Sequence, residues 1–131
     1  MKQYSAKMLF QWRPVRNGIS RKRRICEKRI VTFSASNAEE ALKRVTKIGK
    51  SEEYTEQKPN GKVYFEFIGV LELKDITLNY SDGEVWSEIK EMVEPMERKD
   101  KIIPKKHELD ALRKKSKSAS GRLTYSWRNN R

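Results

Sequence analysis

The stretch that most restricts the fold is Val63 to Ile76, VYFEFIGVLELKDI, where apolar residues recur with a period of two. Val63, Phe65, Phe67, Gly69, Leu71 and Leu73 fall on one parity; Tyr64, Glu66, Ile68, Val70 and Glu72 fall on the other. Alternation of this kind belongs to a β-strand, because successive side chains leave opposite sides of the pleat. Both parities are apolar near the middle, at Phe67, Ile68, Val70 and Leu71, so the spacing predicts a central strand covered at least partly on each face.

The other elements arrange themselves around this strand. Tyr4, Ala6, Met8, Phe10 and Trp12 alternate with Ser5, Lys7, Leu9 and Gln11, which predicts a strand with one buried face. Arg13 to Arg24 reads as a loop with turn signals at Pro14 and Asn17-Gly18. Ile25 to Ser34 reads as a second strand; where it forms a hairpin with the first, the basic loop is the tip. Glu27 and Arg29 share the parity of Ile25, Val31 and Phe33, which predicts an edge position or a bulge there. Ser36 and Glu39 have the spacing of a capping box, and Ala38, Ala41, Leu42, Val45 and Ile48 form an apolar helical stripe that Gly49 is expected to stop. A strand from Glu52 to Lys58 then turns through Pro59-Asn60-Gly61 into the Val63 strand. NYSDG, residues 79–83, reads as another turn. Glu84 to Met96 is expected to be a short strand passing into a helix that ends before Pro95. A further short helix is expected from Pro104 through Glu108, Leu109 and Leu112 to Lys117. The chain contains no internal repeat.

The expected architecture is therefore α+β. It is an antiparallel sheet of four to five strands in β-β-α-β-β order, the fifth being short, with one amphipathic helix on a face. Residues 1–95 are expected to form the compact domain. Residues 96–131 are expected to form a basic C-terminal extension with a short helix and a partly flexible tail.

Part of this chain resembles a family of small bacterial proteins catalogued only as a domain of unknown function. The likeness rests on Tyr4-Ser5-Ala6-Lys7 with Leu9-Phe10, on Glu27, and on Glu40-Ala41-Leu42 and Gly49. It continues through Gly61, Phe67-Ile68-Gly69-Val70-Leu71 and Asp82-Gly83-Glu84-Val85 with Ser87. It spans roughly residues 4–88 and implies a compact bacterial intracellular domain; it transfers no catalytic residue.

Charge supplies the functional lead. The chain carries a net +12, distributed unevenly. Residues 1–95 hold 18 Lys+Arg against 14 Asp+Glu, whereas residues 96–131 hold 12 against 4. Such asymmetry points to an anionic partner. One cluster is Arg13, Arg16, Arg21, Lys22, Arg23 and Arg24, in a span without an acid. A second is Lys105, Lys106, Arg113, Lys114, Lys115, Lys117, Arg122 and Arg128, with Tyr125 and Trp127 interleaved as candidates for stacking on unpaired bases.

Other chemistry is thinly supported. The single cysteine, Cys26, rules out an internal disulfide, and with His107 the only histidine no metal-ligand spacing is present. Cys26 reads as a small half-buried residue and His107 as a surface residue. Glu27 and Glu66, with Lys7 nearby, are expected to form a cross-strand ion pair rather than an acid–base centre. Of the aromatic stripe Tyr4, Phe10, Trp12, Tyr64, Phe65 and Phe67, most is expected in the core, with Trp12 and Tyr64 exposed. No apolar run reaches the ~18 residues of a membrane span, and the expected compartment is the cytoplasm. The expectation is a non-enzymatic protein, without cofactor or metal, that contacts nucleic acid or a nucleoprotein complex through the basic loop and tail. The alternative is an inhibitor, immunity protein or complex subunit that binds an acidic protein.

Overall fold

A computed structural model of the chain describes residues 1–77 and 86–113. The expected turn at 79–83 and the sequence beyond Arg113 lie outside the described residues.

The protein is α+β. Its strands are β1 (Lys2–Arg16), β2 (Ile19–Ser20), β3 (Arg23–Ala35), β4 (Tyr54–Lys58), β5 (Gly61–Asp75) and β6 (Trp86–Val93), and its helices are α1 (Ala38–Ser51) and the one-turn α2 (Lys99–Ile102). All pairings are antiparallel, in the order β4-β5-β1-β3-β6, with β2 paired to β1. The middle place thus belongs to β1, and β5 lies beside it.

One face carries the main core. Tyr4, Ala6, Met8 and Phe10 of β1 pack there with Phe65, Phe67, Val70 and Leu73 of β5, under Ala41 and Val45 of α1. The other face carries a smaller cluster of Leu9, Cys26 and Ile68, covered by Met92, Met96, Ile102 and Ile103. Both faces of β5 are therefore covered, but its residues do not alternate strictly. The register against β1 shifts twice, between Lys7 and Met8 and between Leu9 and Phe10, and each shift places one extra residue in β5. Val70 consequently joins Phe67 in the main core, whereas Leu71 packs with the smaller cluster and Gly69 lies against Ile103. The simple parity placed Gly69 and Leu71 with Phe67; the bulges move them across the sheet.

Other local expectations are also corrected. Arg13 to Arg24 is mostly strand, because β1 runs on past its last pair with β3, Trp12↔Ile25, and pairs with β2 up to the turn at Asn17-Gly18, where φ is 51° and 76°. Positive φ at both residues matches the twist of a two-residue hairpin turn. β3 is neither an edge nor bulged, since it pairs without a register shift to β1 and to β6. Glu27 and Arg29 are accommodated there by pairing with each other at 2.9 Å, and the Arg29 guanidinium sits 4.8 Å over the Phe10 ring.

The cap of α1 is Asn37 rather than Ser36. Asn37 Oδ1 accepts from the Glu40 amide at 2.9 Å, while Glu40 reaches back to accept from the Ser36 backbone N–H and hydroxyl. Gly49 does not stop the helix. It lies inside the last turns, where a Cβ would come within 2.5 Å of the Phe67 ring. Among the described residues, 86–96 contain no helix: β6 continues to Val93 because β3 offers a free edge to pair with. The chain then turns at Glu94 (φ 42°) before the buried Pro95.

Residues 96–113 lie against the sheet. β4 pairs only with Gly61–Phe65, so the outer side of β5 beyond Phe65 has no strand neighbour among the described residues. Ile102 and Ile103 pack on the smaller cluster, and after Pro104 the chain passes to the opposite face, where Leu109 is buried in the main core. Salt bridges from Lys106 to Glu39 (2.7 Å) and from Lys74 to Asp110 (3.5 Å) accompany the crossing. The helix expected from Pro104 is replaced by two 3-10 turns, Lys106–Glu108 and Asp110–Leu112, since the crossing has to insert Leu109 and not run parallel to the sheet.

Candidate nucleic-acid interface

Two hairpin turns meet at one end of the sheet. The pairing Arg16↔Gly61 places Asn17-Gly18 beside Pro59-Asn60. Arg16, Lys58 and Lys62 are exposed there, and Arg21 and Lys22, between β2 and β3, are exposed as well. A groove of about 380 Å³ lies between the turns, lined by Pro14, Arg16, Lys58, Asn60 and Lys62 among others. Lys58 pairs with Glu56 at 3.1 Å. Among the described residues, no carboxylate lies within salt-bridge distance of Arg16, Arg21, Lys22 or Lys62. Each can offer a hydrated cation to an anion without first giving up an internal partner.

The remaining arginines of this segment are engaged. Arg13 donates to both Glu66 oxygens (2.9 and 2.8 Å) and to Ser20 Oγ, and stacks 4.6 Å from the Tyr64 ring centroid. These bonds hold the Glu66 carboxyl below the ordinary carboxylate range and raise the Arg13 guanidinium further. Arg24 is 3% exposed. It donates bidentately to Glu97 (2.7 and 2.8 Å), to the Arg21 carbonyl (2.8 Å) and to Gln11 Oε1 (3.3 Å). The fully buried Gln11 in turn donates to Glu66 at 2.7 Å. A continuous polar line, Arg13–Glu66–Gln11–Arg24–Glu97, thus ties the hairpin to the chain after β6. Arg23 pairs with Glu91 at 3.7 Å, with both side chains largely exposed.

The second basic group stands elsewhere. Lys106 pairs with Glu39 at the start of α1, and α1 follows Ala35, which pairs with Lys2. That is the other end of the fifteen-residue β1, roughly 45 Å of extended chain away. Lys105 and His107 are exposed, and Arg113 pairs with Asp110 at 3.5 Å. Lys114, Lys115, Lys117, Arg122, Tyr125, Trp127 and Arg128 lie outside the described residues. The two described basic groups therefore do not merge into one patch.

The rest of the sequence chemistry separates as well. Glu27 faces the main core beside Phe10, while Glu66 pairs across from Gln11 on the opposite face, so the two carboxylates do not meet. Lys7 pairs instead with Glu72 at 3.4 Å. Burial pushes the Cys26 thiol up to about 11. On the same face, burial and the neighbouring Lys90 and Lys7 lower the ammonium of Lys28. Trp12 is half-buried, its Nε1 donating to the Tyr54 hydroxyl at 3.0 Å, and Tyr64 is half-buried beneath Arg13. Among the described residues no group of three His, Cys, Asp or Glu side chains is placed to hold a metal ion, and no helix is long and apolar enough to cross a membrane.

Gln11 and Glu97 are the participants that sequence reasoning missed. Gln11 carried a faint signal, being a polar residue next to Phe10 and Trp12 within an apolar strand. Glu97 carried none, since its partner lies 73 positions earlier.

Fold and surface together define a small antiparallel sheet-and-helix domain with a cationic end. The family model described as a domain of unknown function (DUF4288) matches residues 3–87, and the chain belongs to this family. No curated protein and no solved structure matches the chain. The matched span runs from β1 into the beginning of β6, so the crossing segment at 96–113 falls beyond it.

Proposed function

We propose that this protein is a non-enzymatic, cytoplasmic binding protein that contacts nucleic acid, free or within a nucleoprotein complex, with the twin-turn end of its sheet as the primary contact. One observation carries the reading: Arg16 and Lys62 line one groove between the turns and Arg21 and Lys22 follow a few residues beyond Gly18, all four exposed and without a described acidic partner. Arg13 and Arg24 are positioning residues that stiffen the hairpin beneath them. The sequence after Arg113 supplies further cations, and Tyr125 and Trp127 supply aromatic surface for unpaired bases. Contacts of this kind are made to phosphates, so they tolerate sequence and weaken with salt.

The test is fluorescence anisotropy with labelled single- and double-stranded oligonucleotides over a salt series. The full-length chain is expected to bind with affinity that falls linearly on a log–log plot. Changing Arg16, Arg21 and Lys22 together to Ser is expected to reduce the slope by about two to three. Truncation after Arg113 is expected to weaken binding further while the sheet stays folded. Absence of binding at low salt, or an unchanged slope in the triple variant, refutes the proposal. Co-purification with one stoichiometric protein that survives nuclease would instead favour an acidic protein partner.

A further inference from the structure

We propose that β6 is the contact strand of a homodimer, its outer edge pairing antiparallel with β6 of a second copy about a two-fold axis at Ile89. β6 ends the strand order, and among the described residues nothing pairs with its outer side. Ser87 to Glu91 are all exposed, and Ile89 is 61% exposed on the same face as Ile25 and Val93. Proteins blunt edges of this sort with proline, bulges, brevity or charged side chains, and the charges on β6 are of mixed sign, Glu88 and Lys90 flanking Ile89. β6 has eight residues, no proline, and no register shift against β3. The crossing segment covers the exposed stretch of β5, but no described segment does the same for β6.

The charge order of the strand selects the occupant. The pleat restricts an antiparallel pairing to slips of two residues, because paired positions must share a face. With Ile89 opposite Ile89, Glu88 of each copy stands opposite Lys90 of the other, so two oppositely charged pairs flank an apolar centre. A slip of two residues one way sets Lys90 against Lys90, and the other way sets Glu88 against Glu88. A single register therefore satisfies the strand's own charges, and the partner it satisfies is the same strand reversed. Such a contact is isologous and uses up the edge on both copies, so assembly closes at two. It leaves the twin-turn ends free and pointing in opposite directions, since Val93 of β6 lies towards that end and the two strands run antiparallel.

The experiment is sedimentation equilibrium of the full chain across a concentration series, without nucleic acid. It compares the wild type with Lys90→Glu, Glu88→Lys and the double exchange, with circular dichroism confirming that each is folded. The wild type is expected to approach twice the chain mass. Each single exchange, which creates two like-charge pairs, is expected to weaken association by about tenfold or more, and the double exchange is expected to restore it. A wild type that remains at the mass of one chain overturns the proposal. So does a dimer that the single exchanges leave unchanged, because its contact would lie elsewhere.

Discussion

Glu97 and Arg24 form an ion pair whose two members should be unequal in importance. Arg24 is 3% exposed, whereas the Glu97 side chain is 47% exposed. Glu97→Ala leaves a guanidinium buried without its carboxylate. Orphaning a buried charge costs about 3–5 kcal/mol, and water reaching the half-open Glu97 side reduces that to roughly 2–3 kcal/mol. Arg24→Met removes the buried charge and keeps most of the stem volume. The carboxylate it leaves is rehydrated, and the main loss is an unpaired Gln11 Oε1, worth about 1–2 kcal/mol. Gln11 keeps its bond to Glu66. Urea titration should therefore show Glu97→Ala as the less stable variant by about 1 kcal/mol. The pair also sets a pH signature. The hydrogen bonds from Arg24, against a smaller effect of burial, hold the Glu97 carboxyl below its ordinary value of 4.5. A depressed carboxyl stabilises the fold above that value, and the contribution is lost as pH falls through the folded pKa. The gap between wild type and Glu97→Ala should then be full at pH 7 and shrink below about pH 4.5. A Glu97→Ala protein more stable than Arg24→Met, or a gap that does not narrow as pH falls below 4.5, would refute the reasoning.

Two further outcomes follow from the fold. At Gly61, φ is 153°, a region that side chains avoid, and an added Cβ would fall on the Val15 carbonyl oxygen. Gly61→Ala should cost about 3 kcal/mol or more in denaturant titration, because backbone cannot rotate away as a side chain can. The Cys26 thiol, fully buried and raised to about 11, should react with iodoacetamide at pH 8 only as fast as the protein opens, and promptly in 6 M guanidinium.

The two longest strands and the helix were legible because each repeats a local period. Tyr4 to Trp12 alternates in β1, and Ala41 and Val45 of the helical stripe are buried as its spacing demands. The family likeness was legible in short motifs scattered from Tyr4 to Ser87, and the match at 3–87 covers them. The bulges of β5 were not legible, since Ile68-Gly69 and Leu71-Glu72 look locally like ordinary alternation. Only the register imposed by β1 reveals the extra residues. The fate of the basic segment was hidden for a similar reason. Six cations in a row of twelve look equivalent in sequence, and what distinguishes Arg24 from Lys22 is a carboxylate that folding brings from position 97. The extent of β6 was decided by the vacant side of β3, which local periodicity does not record.

The paired bulges of β5 fix how the chain can change length. Between Phe67 and Leu73 the strand spends two residues more than its neighbour over the same distance, and both surplus positions serve the smaller hydrophobic cluster. Removal of one would turn every later residue over, sending Lys74 into the main core and taking Leu73 out of it. Removal of both would keep the larger core but strip the floor on which Ile102 and Ile103 rest. Single-residue deletions here should therefore be far less tolerated than at the Pro59-Asn60 turn, where the chain is exposed and its spacing answers to one hairpin alone.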